Sequence, residues 1–242
     1  MDLVEKIRAN AANVRERIAN AAVRGGRTER DVRLVVVSKG QPVEVIQAAI
    51  LAGVSDLGEN YPEETVPKIL ECGNEAVTWH MIGHLQSRKA RLVCEYFDWI
   101  HTIDSLKLAQ KMDQILASGG RRLPALLQFN VGGEESKSGW QAEDESSWPA
   151  LLEEIEPIMR LPHLKVSGLM TMPPLTTLPK DARRYFRKLV KLQAYLGGQF
   201  PSVDWRELSM GTSADYETAV EEGATMVRIG TSVLGPRPPR SG

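Results

Sequence analysis

The segment Leu34-Val35-Val36-Val37-Ser38-Lys39 decides how the rest of the chain is interpreted. Three consecutive valines restrict χ1 and favour a β-strand, and an aliphatic run without polar alternation is typical of a strand buried on both faces of a parallel sheet. The strand ends on a lysine. At the C-terminal end of a strand in an α/β barrel, a partly desolvated amine has a lowered pKa and can attack an aldehyde to form a Schiff base. The alternative is a lysine that simply leaves the strand for solvent.

Bulk composition limits the classes of protein to consider. A length of 242 residues is near that of one α/β barrel, and a hydrophobic fraction of 42% is sufficient for a substantial core, so we predict a single domain over residues 1–242. The formal net charge of -1 gives no electrostatic reason to expect nucleic acid or an anionic membrane as a partner. We therefore expect a small-molecule ligand.

Cysteine usage and hydropathy indicate a reducing compartment. Cys72 and Cys94 do not have the spacing of a metal site or of a redox motif. Residues 1–8 carry charge where a signal peptide needs an apolar core, and no later run is apolar for long enough to span a bilayer. We therefore expect a cytoplasmic protein.

Helix-like and strand-like segments alternate along the chain. Residues 2–24 predict an amphipathic helix, within an N-terminal segment 1–30 that precedes the first strand. The predicted strands are 34–39, 54–57, 77–83, 99–102, 125–130, 164–172, 207–211 and 225–229. Every connection is long enough for a right-handed crossover, which favours a closed (β/α)8 TIM barrel, with an open doubly wound sheet as the alternative. The proline-rich tail 236–242 is predicted to be disordered.

A barrel would bring the polar residues at its strand ends to one mouth. These residues are Lys39, Asn60, His80, His101, Asn130, Ser209 and Arg228. Residue type alone would allow a zinc site from His80, His84 and His101, but no His-Glu-x-x-His motif or cysteine pair supports it. We therefore predict no metal, and we interpret His80 as a hydrogen-bonded packing residue.

Two turns near the end of the chain have the features of an anion site. Residues 209–215 pass from a strand through a glycine turn into a helix start, and residues 228–232 do the same after the last strand. Backbone N–H groups and hydroxyls converge in such turns, and the loops after strands seven and eight are the usual phosphate site of this barrel. Together with Lys39, they predict a phosphorylated aldehyde as ligand, either pyridoxal 5'-phosphate or a sugar phosphate on a Schiff-base aldolase.

Short motifs spread in order over residues 34–235 resemble those of the pyridoxal phosphate homeostasis protein family. They are Val37-Ser38-Lys39, Gly58-Glu59-Asn60-Tyr61, Trp79-His80-Met81-Ile82-Gly83-His84-Leu85-Gln86, Ile103-Asp104-Ser105, Gly133-Glu134-Glu135-Ser136-Lys137-Ser138-Gly139, Gly168-Leu169-Met170-Thr171, Leu208-Ser209-Met210-Gly211 with Ser213-Ala214-Asp215, and Val227-Arg228-Ile229-Gly230-Thr231. That family is similar in fold to the N-terminal barrel of alanine racemase, the fold-type III group of cofactor proteins. The resemblance implies pyridoxal 5'-phosphate (PLP) as cofactor.

The resemblance also implies a set of cofactor contacts. By it, Lys39 is the lysine that forms the Schiff base. The other implied contacts are Ser213, Gly230 and Thr231 at the phosphate, Arg228 at the pyridine nitrogen, and Asn60, Ser209 and Met210 along the ring. The sequence departs from the family pattern where Gly40-Gln41 replaces a usual Thr-Lys beside the lysine.

Arg228 decides which chemistry we expect. A guanidinium stays charged at any ordinary pH, so it can only donate to the ring nitrogen, which makes the ring a poorer electron sink. Racemases of this fold type add a tyrosine from a second domain and a partner subunit, a domain for which this chain has no room. We therefore predict a monomeric protein of intracellular vitamin B6 homeostasis that buffers PLP or delivers it to apo-enzymes, with no catalytic residues. A PLP-dependent amino-acid racemase is the alternative.

Overall fold

Eight parallel strands close into a barrel in the computed structural model, which describes residues 2–73 and 77–238. In chain order the strands are β1 (Arg33–Val37), β2 (Asp56–Glu59), β3 (Thr78–Met81), β4 (Trp99–Ile103), β5 (Leu123–Asn130), β6 (Trp140–Gln141), β7 (Leu164–Met170), β8 (Glu207–Thr212) and β9 (Met226–Ile229). The short β6 pairs only with the end of β5 and stands outside the barrel. Because β4 pairs with β5 and β1 pairs with β9, each of the eight barrel strands has two neighbours. The predicted TIM barrel is confirmed, and the open sheet is wrong.

Helices cover the outside of this barrel. They are α1 (Leu3–Arg24), α2 (Val43–Leu51), α3 (Pro62–Cys72), α4 (Ala90–Tyr96), α5 (Leu106–Gly119), α6 (Trp148–Met159), α7 (Arg183–Gln199), α8 (Tyr216–Glu221) and α9 (Thr231–Leu234). The predicted N-terminal helix is confirmed as α1, whose first turn is capped by a hydrogen bond from Glu5 N–H to Asp2 Oδ1, 2.8 Å long. Among the described residues, no helix combines the length and the apolar character needed to cross a bilayer.

The strand side chains divide into two hydrophobic clusters. Side chains alternate between the two faces of a strand, so Leu34 and Val36 join the layer between barrel and helices, whereas Val35 belongs to a separate cluster. The other fully buried members of that separate cluster are Leu126, Met170 and Met226. They come from β5, β7 and β9, and together with Val35 they fill part of the barrel interior.

The C-terminal segment lies against the loop that follows β1. The side-chain amide of Gln41 donates to the carbonyl oxygens of Gly235 and Pro236, both at 3.4 Å. Of the tail that we predicted to be disordered, residues 239–242 lie outside the described residues. Residues 236–238 form neither helix nor strand, and disorder of the tail stays a prediction.

Gly168 is required where β7 runs beside β8. Its φ is +154°, and a Cβ added there would lie 1.9 Å from the carbonyl oxygen of Glu207 in β8. We expect Gly168→Ala to lower the free energy of unfolding by at least about 2 kcal/mol, because the two strands must separate. The control is Gly198→Ala in α7, where an added Cβ meets nothing within 4 Å and helix propensity predicts a gain of up to about 1 kcal/mol. Urea unfolding of both variants tests this, and equal free energies of unfolding would contradict it.

Candidate functional site

A cavity of about 390 Å³ opens at the C-terminal ends of the barrel strands. This volume is in the range of small-ligand sites. The cavity brings together six of the eight predicted cofactor contacts: Lys39, Asn60, Ser213, Arg228, Gly230 and Thr231. They lie on or just after β1 and β2 near the start of the chain, and β8 and β9 near its end, so the barrel closure assembles the site.

Ser209 and Met210, the remaining two predicted contacts, are fully buried and do not line the cavity. Met210 packs in the hydrophobic layer between barrel and helices. Ser209 points the other way: its hydroxyl accepts a hydrogen bond from Arg228 Nη1 and lies 2.8 Å from His101 Nδ1. Ser209 therefore acts on the cavity through Arg228, and Met210 holds the strand in place.

Lys39 is half-buried in the loop after β1. Burial lowers the pKa of its amine because the charged form loses hydration, and the positive charges of Arg237 and Arg228 lower it further, against the opposing effect of Glu59. The preceding Ser38 is fully buried and donates to Glu59 Oε1 at 2.9 Å, which fixes the backbone next to the lysine. Lys39 therefore has a fixed backbone beside it and an amine that loses its proton more easily than the amine of a surface lysine.

Arg228 is buried and held on β9. Its Nη2 donates to the carbonyl oxygen of Thr171 at 2.9 Å and contacts Met172 Sδ at 3.0 Å, while Nη1 donates to Ser209. Burial lowers the pKa of the guanidinium to about 10, with Asp215 opposing the shift. The side chain therefore stays positively charged at neutral pH. Among the described residues no acceptor pairs with its Nε–H, and Arg228 is one of the residues that line the cavity.

The turn after β8 is closed by its own side chains. Asp215 Oδ1 accepts from Thr212 N–H at 2.7 Å and from the Thr212 hydroxyl at 3.2 Å. The turn leads into a helix start, as the sequence predicts. Asp215 does precede α8, but its carboxylate bonds back to Thr212 and makes no cap to the helix. The closed turn places Ser213 at the cavity beside Gly230 and Thr231.

Several further residues line the cavity, and the sequence did not identify them as contacts. Those with polar side chains are His84, Thr102, Gln128, Ser136, Lys137, Ser138, Thr212 and Arg237. Gln128 lies two residues before Asn130 on β5, so the period of the strand could have identified it as inward-facing. Arg237 follows the last helix in a segment predicted to be disordered, and no local pattern in the sequence identifies it.

The side chain of Asn130 fixes the start of the loop 133–139. Its side-chain oxygen accepts from the N–H groups of Gly132 and Gly133 at 3.2 and 3.1 Å, and its amide donates to the carbonyl oxygen of Glu134 at 2.7 Å. These three bonds fold the chain back at the end of β5. Lys137, farther along the same loop, lines the cavity as a result.

The cavity is positively charged. Four basic side chains line it, from Lys39, Lys137, Arg228 and Arg237, and none of its described lining residues is an aspartate or glutamate. The buried side-chain oxygens Oδ1 of Asn60 and Oε1 of Gln128 have no hydrogen-bond partner in the described protein. An anionic ligand that also carries hydrogen-bond donors would therefore satisfy the site.

A larger groove of about 900 Å³ lies elsewhere, between α7 and the 174–181 segment. It is lined by both basic and acidic side chains, and it contains none of the predicted cofactor contacts. Within the described residues, no group of three or more His, Cys, Asp or Glu side chains is arranged to hold a metal ion.

The chain is similar to known proteins over almost its whole length. The family described as alanine racemase, N-terminal domain, matches residues 4–238. A pyridoxal phosphate homeostasis protein from Vibrio alginolyticus is 40% identical over 238 residues, which cover 97% of this chain and 99% of that protein. The chain belongs to the pyridoxal phosphate homeostasis protein family. The resemblance found in the sequence motifs is therefore confirmed.

A further curated relative and a solved structure agree with this assignment, and a more distant structure shares the fold. The pyridoxal phosphate homeostasis protein of Escherichia coli K12 is 40% identical over 231 residues, covering 94% of this chain and 95% of that protein. PipY of Synechococcus elongatus, solved with PLP bound, is 34% identical, with a TM-score of 0.79 over 95% of this chain and 100% of that chain. An alanine racemase of Clostridium difficile shares the fold, with 19% identity and a TM-score of 0.68 over 98% of this chain and 58% of that chain.

Arg237 lowers the pKa of Lys39 by charge repulsion, and this effect can be tested by mutation. In Arg237→Gln the repulsion is lost, so the charged amine is favoured and the pKa of Lys39 rises. The pH dependence of Lys39 modification by an amine-directed acylating reagent, followed by mass spectrometry, should shift to higher pH. Arg91→Gln, a change at an exposed helix position paired with Glu95, should leave the profile unchanged. A shift of Arg237→Gln to lower pH would contradict the assignment.

Proposed function

We propose that this protein binds PLP reversibly through Lys39 and holds it for supply to enzymes that need the cofactor. The observation that carries the proposal is a cavity whose described lining has four basic side chains and no carboxylate, and in which one of the four, Lys39, is half-buried with a lowered pKa. A phosphorylated aldehyde matches both features, because its phosphate is an anion and its carbonyl carbon accepts an amine. The names of the relatives and the PLP-bound PipY structure support the same ligand.

The residues present fit this cofactor. Ser213 and Thr231 offer hydroxyls, and Gly230 an approach without a side chain, on the side of the cavity formed by the turns after β8 and β9. Arg228 would donate to the pyridine nitrogen, and the unpaired oxygen of Asn60 would accept from a hydroxyl of the ring. When bound, the cofactor supplies an aldehyde whose carbon forms a C=N bond with the Lys39 amine as one water is released.

The same residues favour storage of the cofactor over catalysis. Arg228 keeps its proton, so it would donate to the ring nitrogen of bound PLP and would not help the ring to withdraw electrons. No tyrosine is among the described residues that line the cavity, and a racemase of this fold needs an acid and base on the face opposite the lysine. We therefore propose a carrier and not a racemase.

The proposed role belongs in the cytoplasm, where apo-enzymes that need the cofactor are made. Cys72 and Cys94 are both free thiols, which is consistent with a reducing compartment. Apo-enzymes are the proposed recipients, and each would take the cofactor when its own lysine replaces Lys39 at the same aldehyde carbon.

Lys39 should be the site of attachment. Borohydride reduction of the PLP-loaded protein, followed by peptide mapping, should place the modification on Lys39, and Lys39→Ala should lose the visible absorbance of the loaded protein. Lys137→Ala is the matched control, because Lys137 lines the same cavity and should not carry the cofactor. A reduced adduct on Lys137, or a colourless wild-type protein with added PLP, would contradict the proposal. The second result would favour the aldolase interpretation.

Delivery can be separated from simple storage. Loaded protein and an equal amount of free PLP are each mixed with the apo-form of a PLP enzyme, in the presence of a phosphatase that destroys free cofactor. Direct transfer predicts that the loaded protein still restores activity when free PLP no longer does. Lys39→Ala should give no protection. Equal loss of reactivation from both sources would show that the protein does not transfer the cofactor directly.

A further inference from the structure

Five buried side chains form one hydrogen-bonded chain across the barrel. It runs from Asp56 on β2 through His80 on β3 and His101 on β4 to Ser209 on β8 and Arg228 on β9. Asp56 Oδ1 lies 3.0 Å from His80 Nε2, His80 Nδ1 lies 2.9 Å from His101 Nε2, and His101 Nδ1 lies 2.8 Å from the Ser209 hydroxyl. Arg228 Nη1 donates to that hydroxyl.

The chemistry of the two ends fixes the direction of every proton in this chain. A carboxylate only accepts, so His80 carries its proton on Nε2 and donates to Asp56. In a neutral ring His80 Nδ1 is then an acceptor, so His101 carries its proton on Nε2 and donates to it. His101 Nδ1 in turn accepts from the Ser209 hydroxyl, whose oxygen accepts from Arg228, because a guanidinium only donates. All five groups are thereby satisfied in a single arrangement.

Burial makes this arrangement hard to replace. Each of the five residues is at most 8% exposed, and the two histidines are fully buried. Burial lowers the pKa of both imidazoles, and His80 and Arg228 add to the effect at His101, so both rings are neutral. With little water available to replace a lost partner, breaking one bond leaves its neighbours unpaired.

The chain has a fixed anchor at its far end. Asp56 is the first residue of β2, at the mouth opposite the cavity, and Arg33 Nε lies 3.6 Å from the same carboxylate oxygen. His80 also stacks on Trp99, with ring centroids 6.0 Å apart and planes 14° apart. Asp56 and Trp99 together hold the first imidazole, and each later member is positioned by the one before it.

We propose that this chain, here called the lumen relay, is a positioning network that fixes Arg228 from the opposite mouth of the barrel. Asp56 sets the direction of the hydrogen bonds, and His80, His101 and Ser209 transmit it to the guanidinium. Arg228 is thereby held with its Nε–H available to the cavity. The inference rests on the proposed function in one respect: the acceptor for the Arg228 Nε–H is then the pyridine nitrogen of PLP.

The apo-protein tests the lumen relay without any cofactor. Nitrogen-15 NMR of the histidine rings should show His80 and His101 both protonated on Nε2 alone. In Asp56→Asn the side-chain amide can also donate to His80, so the fixed direction is lost. We expect the ring nitrogens of His101 to shift towards the Nδ1–H form, although His101 does not contact residue 56. A response confined to His80, or a doubly protonated ring in the wild type, would overturn the lumen relay.

PLP binding tests what the lumen relay does for the cavity. Ser209→Ala removes the acceptor of Arg228 Nη1, so we expect about tenfold weaker PLP binding and a shifted absorption maximum of the bound cofactor. Ser167→Ala is the control, because Ser167 is also a buried serine of a barrel strand, β7, and within the described part of the chain its hydroxyl bonds only to the Lys165 carbonyl oxygen, at 3.4 Å. Unchanged affinity and spectrum in Ser209→Ala would overturn the positioning role.

The two experiments separate failure of the lumen relay from failure of the proposed function. If wild-type protein binds no PLP, the proposed function fails, while the NMR result still decides whether the lumen relay has the assigned direction. If PLP binds and only the NMR expectation fails, the lumen relay is wrong and the cofactor assignment stands.

Discussion

The pairing of β1 with β9 is the interaction on which the site depends. Val35 and Val36 lie in register with Arg228 and Ile229, so the strand that leads to Lys39 lies directly beside the strand that carries Arg228. A Cβ on Gly230 would come within 3.0 Å of the Val37 carbonyl oxygen, which shows how closely the two strand ends approach. Since all barrel strands are parallel, their C-terminal ends meet at one mouth, and groups from distant parts of the sequence share one cavity.

A buried cation in this barrel is costly, and its surroundings explain how it is tolerated. Arg228 has defined partners in Thr171, Met172 and Ser209, and the lumen relay links it to the carboxylate of Asp56. A buried charge without such partners would favour a rearranged or hydrated barrel interior. The polar interior therefore serves the cavity, while apolar packing outside the strands provides most of the stability of the fold.

The sequence predicts the architecture well because the signals that determine it are long and periodic. The predicted helix 2–24 agrees with α1, whereas the predicted strand 54–57 is displaced from β2 because a short apolar run does not mark where pairing begins. Lys39, Asn60 and Arg228 could be placed because each ends or follows a strand. Ser209 and Met210 are neighbours on β8, and neighbours on a strand face opposite sides, so only Ser209 could face the interior. Arg237 could not be found, because its place depends on how an irregular segment meets the loop after β1.

The pairing of the first and last barrel strands also has a consequence for biosynthesis. A ribosome releases β1 long before β9, so during translation Lys39 has neither Arg228 nor the turns after β8 and β9 beside it. A nascent chain at that stage has Lys39 without the residues that line the other half of the cavity. Under the proposed function, loading with PLP would therefore follow closure of the barrel.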